Sequence, residues 1–113
     1  MAFSLRREFS CPVELALEVL GGKWKVVLLA HLKERPRRYA ELRRLVPRLS
    51  DKMLAQRLRD LEELGLVRHR KQRGFSEYAL TARGLTLGPA LTALYDWGTA
   101  LAPEVGASLS QPS

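Results

Sequence analysis

This chain of 113 residues has a single cysteine, Cys11. One thiol excludes an intramolecular disulfide framework and fits a reducing compartment such as the cytoplasm. The two histidines and that thiol lack metal-ligand spacing, so no metal site is expected. Neither a glycine-rich phosphate loop nor a nucleophile–base pair is present, which argues against an enzyme and implies no cofactor. Long apolar runs are missing as well. The longest, residues 26–30, falls far short of the roughly 20 residues a membrane-spanning helix needs. Residues 1–10 are basic but have no apolar stretch, so they do not read as a secretory signal. Acidic residues are in deficit: 12 Asp/Glu face 19 Lys/Arg, giving a net charge of +7 and a pI of about 10.2. That balance favours a polyanionic partner.

The excess charge is not spread evenly. Residues 38–73 hold eleven Lys/Arg and five Asp/Glu, so nearly all of the net charge sits in one third of the chain. A length of 113 residues suits one domain able to bury a core without metal or disulfide support. The expected organisation is an N-terminal arm over 1–10, a single domain over 11–102 and a flexible tail over 103–113.

Helix signals begin at Pro12, whose missing N–H costs nothing at a first helical position. That helix places Val13, Leu17 and Leu20 on one face and stops at Gly21-Gly22. A second helix, about 23–33, carries Trp24, Val27, Leu28 and His31 at helical spacing and ends before Pro36. His31 reads as a packed residue. Residues 37–39 suit a short strand, and 40–46 a brief helix burying Leu42, Leu45 and Val46, closed by Pro47.

The next helix is the most constrained. Ser50 is a good N-cap, Asp51 favours the positive helix end, and Leu49 and Leu54 have hydrophobic-staple spacing. Leu54, Leu58 and Leu61 make one apolar stripe, and Gly65 suits a left-handed C′ position that brings Leu66 onto Leu61. The opposite face presents Lys52, Gln56, Arg59 and Glu63, with Ala55 and Arg57 beside it. Gln56 can pair bidentately with adenine, while Lys52 and Arg59 can reach guanine or phosphate. Most charged amphipathic faces are merely solvated. Here a short preceding helix, a tight connection over 47–50 and a following basic ribbon favour insertion into a DNA major groove.

Residues 66–71 and 76–80 read as two strands around a turn over 72–75, where Gly74 supplies a permissive position. Arg68, Arg70, Lys71 and Arg73 make this hairpin a basic wing suited to phosphates or a minor groove. His69 within it suits a solvated or phosphate-facing role, while Tyr78 and Leu80 point inward. Thr81 caps a last helix, about 82–101, with Leu80 and Leu85 at staple spacing and an interruption expected at Gly88-Pro89. Its Leu87, Leu91, Leu94, Tyr95 and Trp97 exceed what so small a core needs and suggest a subunit interface.

Together, Cys11-Pro12-Val13, Gly21-Gly22-Lys23-Trp24, Tyr39-Ala40-Glu41-Leu42, Ser50-Asp51-Lys52-Met53-Leu54, Leu58-Arg59-Asp60-Leu61-Glu62 and Tyr78-Ala79-Leu80-Thr81 follow a known order and spacing. In these segments the chain resembles the HxlR-type winged helix-turn-helix transcriptional regulators over about residues 11–98. One departure is visible: Arg73-Gly74-Phe75-Ser76 stands where that family usually carries prolines in the wing. The resemblance implies a mostly α, α+β winged helix with N- and C-terminal dimerisation helices. It further implies a bacterial homodimer that reads an inverted-repeat operator in double-stranded DNA, one recognition helix per half-site.

Cys11 carries two readings. At a helix N-terminus the positive helix end is expected to favour thiolate, with Arg6 and Arg7 helping and Glu8 and Glu14 opposing, and in several regulators that the chain resembles the matching cysteine senses oxidants or electrophiles. Alternatively it is a small, buried, inert residue beside Pro12. Two other function classes remain open: a sequence-neutral nucleic-acid-binding module and a protein-interaction winged helix. The operator, the regulated genes, activation or repression and any small-molecule effector are not encoded in readable motifs.

Overall fold

The computed structural model describes residues 8–109. The first helix, α1 (Pro12–Leu20), starts after Cys11 with proline in its first turn. Gly22, at φ +87°, turns the chain into α2 (Lys23–Glu34). A two-residue strand, β1 (Arg37–Arg38), leads into α3 (Tyr39–Leu45). Then come α4 (Asp51–Glu63), the hairpin of β2 (Val67–Gln72) and β3 (Phe75–Leu80), α5 (Ala82–Leu85) and α6 (Gly88–Leu101). The predicted break near Gly88-Pro89 is a full interruption between α5 and α6 at Thr86-Leu87, and Pro89 lies in the first turn of α6.

A single three-stranded antiparallel sheet has the order β1-β3-β2. Its register pairs Arg37 with Tyr78, His69 with Tyr78 and Val67 with Leu80, so these residues share one face. Because side chains alternate along a strand, Arg38, Arg68, Arg70, Glu77 and Phe75 share the other. The inner face, together with α2, α3, α4 and the start of α6, encloses a leucine core of Leu28, Leu29, Leu32, Leu42, Leu54, Leu58 and Leu61, with Val67, Tyr78, Leu80 and Leu91 at its edges.

The helix start and stop devices of α4 are formed as expected. Ser50 Oγ accepts from Met53 N–H at 3.1 Å, and Leu49 and Leu54 are both buried. At the far end the Gly65 and Leu66 N–H groups bond the Glu62 and Leu61 carbonyls, each at 3.0 Å, with Gly65 at φ +75°. This pair of bonds satisfies carbonyls that the helix itself leaves open.

Several expectations are corrected. The buried stripe of α2 is Lys25, Leu28, Leu29 and Leu32, one residue round from the predicted face, leaving Trp24, Val27 and His31 half-buried. The rotation is possible because Lys25 lies along the apolar surface while its ammonium donates to the Val19 carbonyl at 3.3 Å, near the C-terminal end of α1. Burial, partly offset by Asp60 and reinforced by Arg57, holds the Lys25 pKa below its usual value. Leu45 is only half-buried. Leu85 is exposed, so no staple forms with Leu80; α5 is a single turn and ends before its side chain can fold back. Residues 102–105 form a 3-10 helix with Ala102 buried, so ordered chain passes the expected boundary at 102. Residues 110–113 of the expected tail and residues 1–7 of the expected arm lie outside the described residues. Among the described residues no helix is long and apolar enough to cross a membrane.

Candidate nucleic-acid interface

Two elements carry the basic face. On α4, Lys52 and Arg59 are exposed, Ala55 and Gln56 are half-buried, and Ser50 is exposed at the cap. The Ser50 oxygen is used in capping, but its O–H remains available as a donor. Gln56 is held on both sides: its Nε2 donates to Asp60 Oδ1 at 2.9 Å, and its Oε1 accepts from Arg59 Nη2 at 3.0 Å. Each bond uses only half of what the amide offers. One N–H and one lone pair remain, the donor and acceptor that bidentate adenine recognition requires.

Arg57 is not beside this face. It turns inward, its Nε 3.3 Å from Asp60 Oδ2, so Asp60 neutralises Arg57 while it orients Gln56. The start of α4 is fixed from α3: Arg43 Nε pairs with Asp51 Oδ1 at 2.8 Å, and Tyr39 O–H donates to the Asp51 carbonyl at 3.4 Å. Exposed Met53 stands beside Lys52 and was not expected; an apolar side chain there can meet a thymine methyl.

The four wing cations do not act as one patch. Strand alternation puts Arg68 and Arg70 on the outer face of β2, Lys71 on the inner side beyond the core, and Arg73 at the tip beside Gly74, which has φ +61°. Arg70 also pairs with Glu77 at 3.3 Å. Among the described residues Lys52, Arg68, Lys71 and Arg73 make no hydrogen bond or ion pair, so their charge is uncompensated. His69 is corrected: rather than solvated, it stacks on Tyr78 at 4.1 Å and bonds the Ser76 hydroxyl at 2.6 Å. It props the wing against the core.

The expected interface residues also divide. Leu91 is buried within this chain and Leu87 packs against the core, because α6 lies against α2 there. Leu94, Tyr95 and Trp97 are exposed, the last at 66%. They are joined by a surface that sequence reading undervalued: α1 has no buried residue, and its Val13, Leu15 and Leu17 all face outward. Cys11, at the start of that helix, is exposed and not packed.

The family model described as HxlR-like helix-turn-helix matches residues 19–105. An HTH-type transcriptional regulator of Bacillus subtilis (strain 168), YdeP, is 41% identical over 91 residues, covering 78% of this chain and 71% of its own. Among solved structures, the redox regulator HypR in its oxidized form is 39% identical with a TM-score of 0.74, covering 80% of this chain and 96% of that one. Its reduced form gives 35% identity and a TM-score of 0.78 over 85% of this chain and 98% of that one.

Proposed function

Because this chain belongs to the HxlR-like helix-turn-helix family of transcriptional regulators, we propose that it binds an inverted-repeat DNA operator as a homodimer and responds to oxidants through Cys11. The observation that carries the DNA reading is α4 itself. It is capped, clamped at its start by Arg43 and Tyr39, and presents Lys52, Gln56 and Arg59 beside a basic hairpin. A groove-reading helix needs this rigidity, since base contacts discriminate only when the donors are already placed. The homodimer is supported by exposed apolar side chains on two surfaces, Val13, Leu15 and Leu17 of α1 and Leu94 and Trp97 of α6. Monomeric soluble proteins rarely leave such patches open. Two-fold symmetry would set the two α4 helices on successive major grooves, about one DNA turn apart.

Selection from a random duplex pool on the reduced protein is expected to enrich an inverted repeat. On that site Gln56→Ala should change the preferred base at one position per half-site, by about 1–3 kcal/mol. Arg70→Ala should weaken all duplexes alike and flatten the salt dependence by about one unit. Identical uniform losses from both variants would overturn this division of roles. Retention without a consensus would instead mark a sequence-neutral module, and no retention a protein adaptor.

The exposure of Cys11 supports the reactive reading over the inert, packed one. Two forms of the redox regulator HypR stand among the similar structures, which supports it further. Peroxide or quinone treatment is expected to change operator affinity of the native chain and leave Cys11→Ser unchanged. An equal response from both proteins would remove Cys11 from the mechanism.

A further inference from the structure

On the outer sheet face, Phe75 lies between two arginines. The Arg38 guanidinium sits over its ring at 4.3 Å from the centroid, and that of Arg70 at 5.7 Å. The register explains the meeting: Arg38 and Arg70 both pair with Glu77, from β1 and β2 on either side of β3, and Phe75 is the next residue of β3 on that face. The two arginines are not equivalent. Arg70 is drawn to Glu77, whereas Arg38 has no carboxylate partner among the described residues. Arg38, Arg68 and Arg70 share the face with one acid, so the face keeps a positive excess.

A guanidinium stacked flat on a ring uses its faces and leaves its in-plane N–H donors free. The contact with the Phe75 ring uses no hydrogen bond of Arg38, and it limits the rotamer freedom that an exposed arginine would otherwise lose on binding. The location is suitable as well. Arg38 immediately precedes Tyr39, which touches the first turn of α4, and it reaches across to the wing tip. It thus belongs to the short strand that leads from the sheet into α3, on the face that also carries Arg68 and Arg70, so a sugar–phosphate backbone lying along that face would meet all three. The wing-tip cleft lined by Arg70, Gln72, Arg73 and Phe75 adjoins it.

We propose that Arg38 holds a DNA phosphate and that Phe75 is its positioning residue. This rests on the DNA-binding reading above. The test measures affinity for the selected duplex across a salt series, with melting temperatures as a folding control. Arg38→Ala is expected to weaken binding roughly five- to tenfold and reduce the salt slope by about one. Phe75→Leu should reproduce part of that loss, Phe75→Tyr should restore it, and Phe75→Leu should add almost nothing to Arg38→Ala. Native affinity and slope in Arg38→Ala, or full additivity of the two losses, would overturn the proposal while leaving the native chain's DNA binding intact. Failure of the native chain to bind any duplex would overturn the reading beneath it.

Discussion

Replacing Gly84 with alanine is expected to cost about 3 kcal/mol and to lower the melting temperature by on the order of 10 °C. Gly84 lies in the single turn of α5, where the chain leaving the wing passes directly over the end of α4. A Cβ there would stand 2.2 Å from the Leu66 carbonyl oxygen and 3.2 Å from Leu80 Cβ. The obstructing atom is backbone, so no side-chain rotation relieves it. Nor is that carbonyl free to move: it accepts from the Thr81 N–H at 3.0 Å, and Thr81 Oγ1 donates to the Gly65 carbonyl at 2.6 Å. The same hydroxyl caps α5 by accepting from Gly84 N–H at 3.1 Å. Moving α5 outward would therefore loosen its own cap and the two bonds that tie Thr81 to the turn after α4. A thermal melt decides it, and a loss under about 1 kcal/mol would mean that α5 slides freely on Leu66.

Arginine at both Leu94 and Trp97 is expected to leave a folded monomer whose affinity for a full inverted repeat falls by about 10²–10⁴-fold. Both side chains are more than half exposed, so the substitutions disturb little within the chain. Each large apolar group buried against a partner contributes about 1.5–3 kcal/mol, and two fixed charges in that position would oppose docking. Once the halves separate, each half-site must be bound independently, and the advantage of linked binding disappears. Affinity for a single half-site should stay near the native monomer value. Sedimentation equilibrium and a half-site titration read the two effects separately. A variant that remains dimeric would place the interface elsewhere.

The parts of this fold that were legible from the chain are those written in local chemistry. Ser50, Leu49 and Gly65 announce both ends of α4 because caps and left-handed turns admit few residue types. Tyr78 and Leu80 announce the wing's inner face through simple alternation. What was illegible depends on partners distant in sequence. Lys25 and Arg37 look like solvated cations, yet both are buried. Lys25 closes on the Val19 carbonyl, and Arg37 donates to the His31 carbonyl at 3.2 Å and to Glu34 Oε1 at 2.5 Å. Periodicity scored by hydrophobicity rejects such positions, and so misplaced the buried stripe of α2. Leu91 was assigned outward because nothing local reveals that α2 already covers it. The exposure of the cations on α4 and the wing was legible, but the contact of Arg38 with Phe75 was not. It exists only once β1 and β3 pair, and a lone arginine beside a tyrosine gives no warning of it. Gly84 likewise resembles any helix-weakening glycine until Leu66 is placed against it.

The unburied first helix has a consequence for when this protein is fully structured. A nine-residue helix is shorter than the roughly 12–15 residues at which isolated helices become even marginal in water. With no fully buried side chain, its support from its own subunit is confined to its C-terminal end, where half-buried Val19 and Leu20 meet the leucine core and Lys25 donates to the Val19 carbonyl. In the proposed homodimer the order of its exposed part should then obey mass action, rising with protomer concentration and falling on dilution, while the leucine core persists. In that case the environment of Cys11 is a property of abundance as much as of sequence. A scarce regulator and a plentiful one would present the same thiol to the cell in different surroundings.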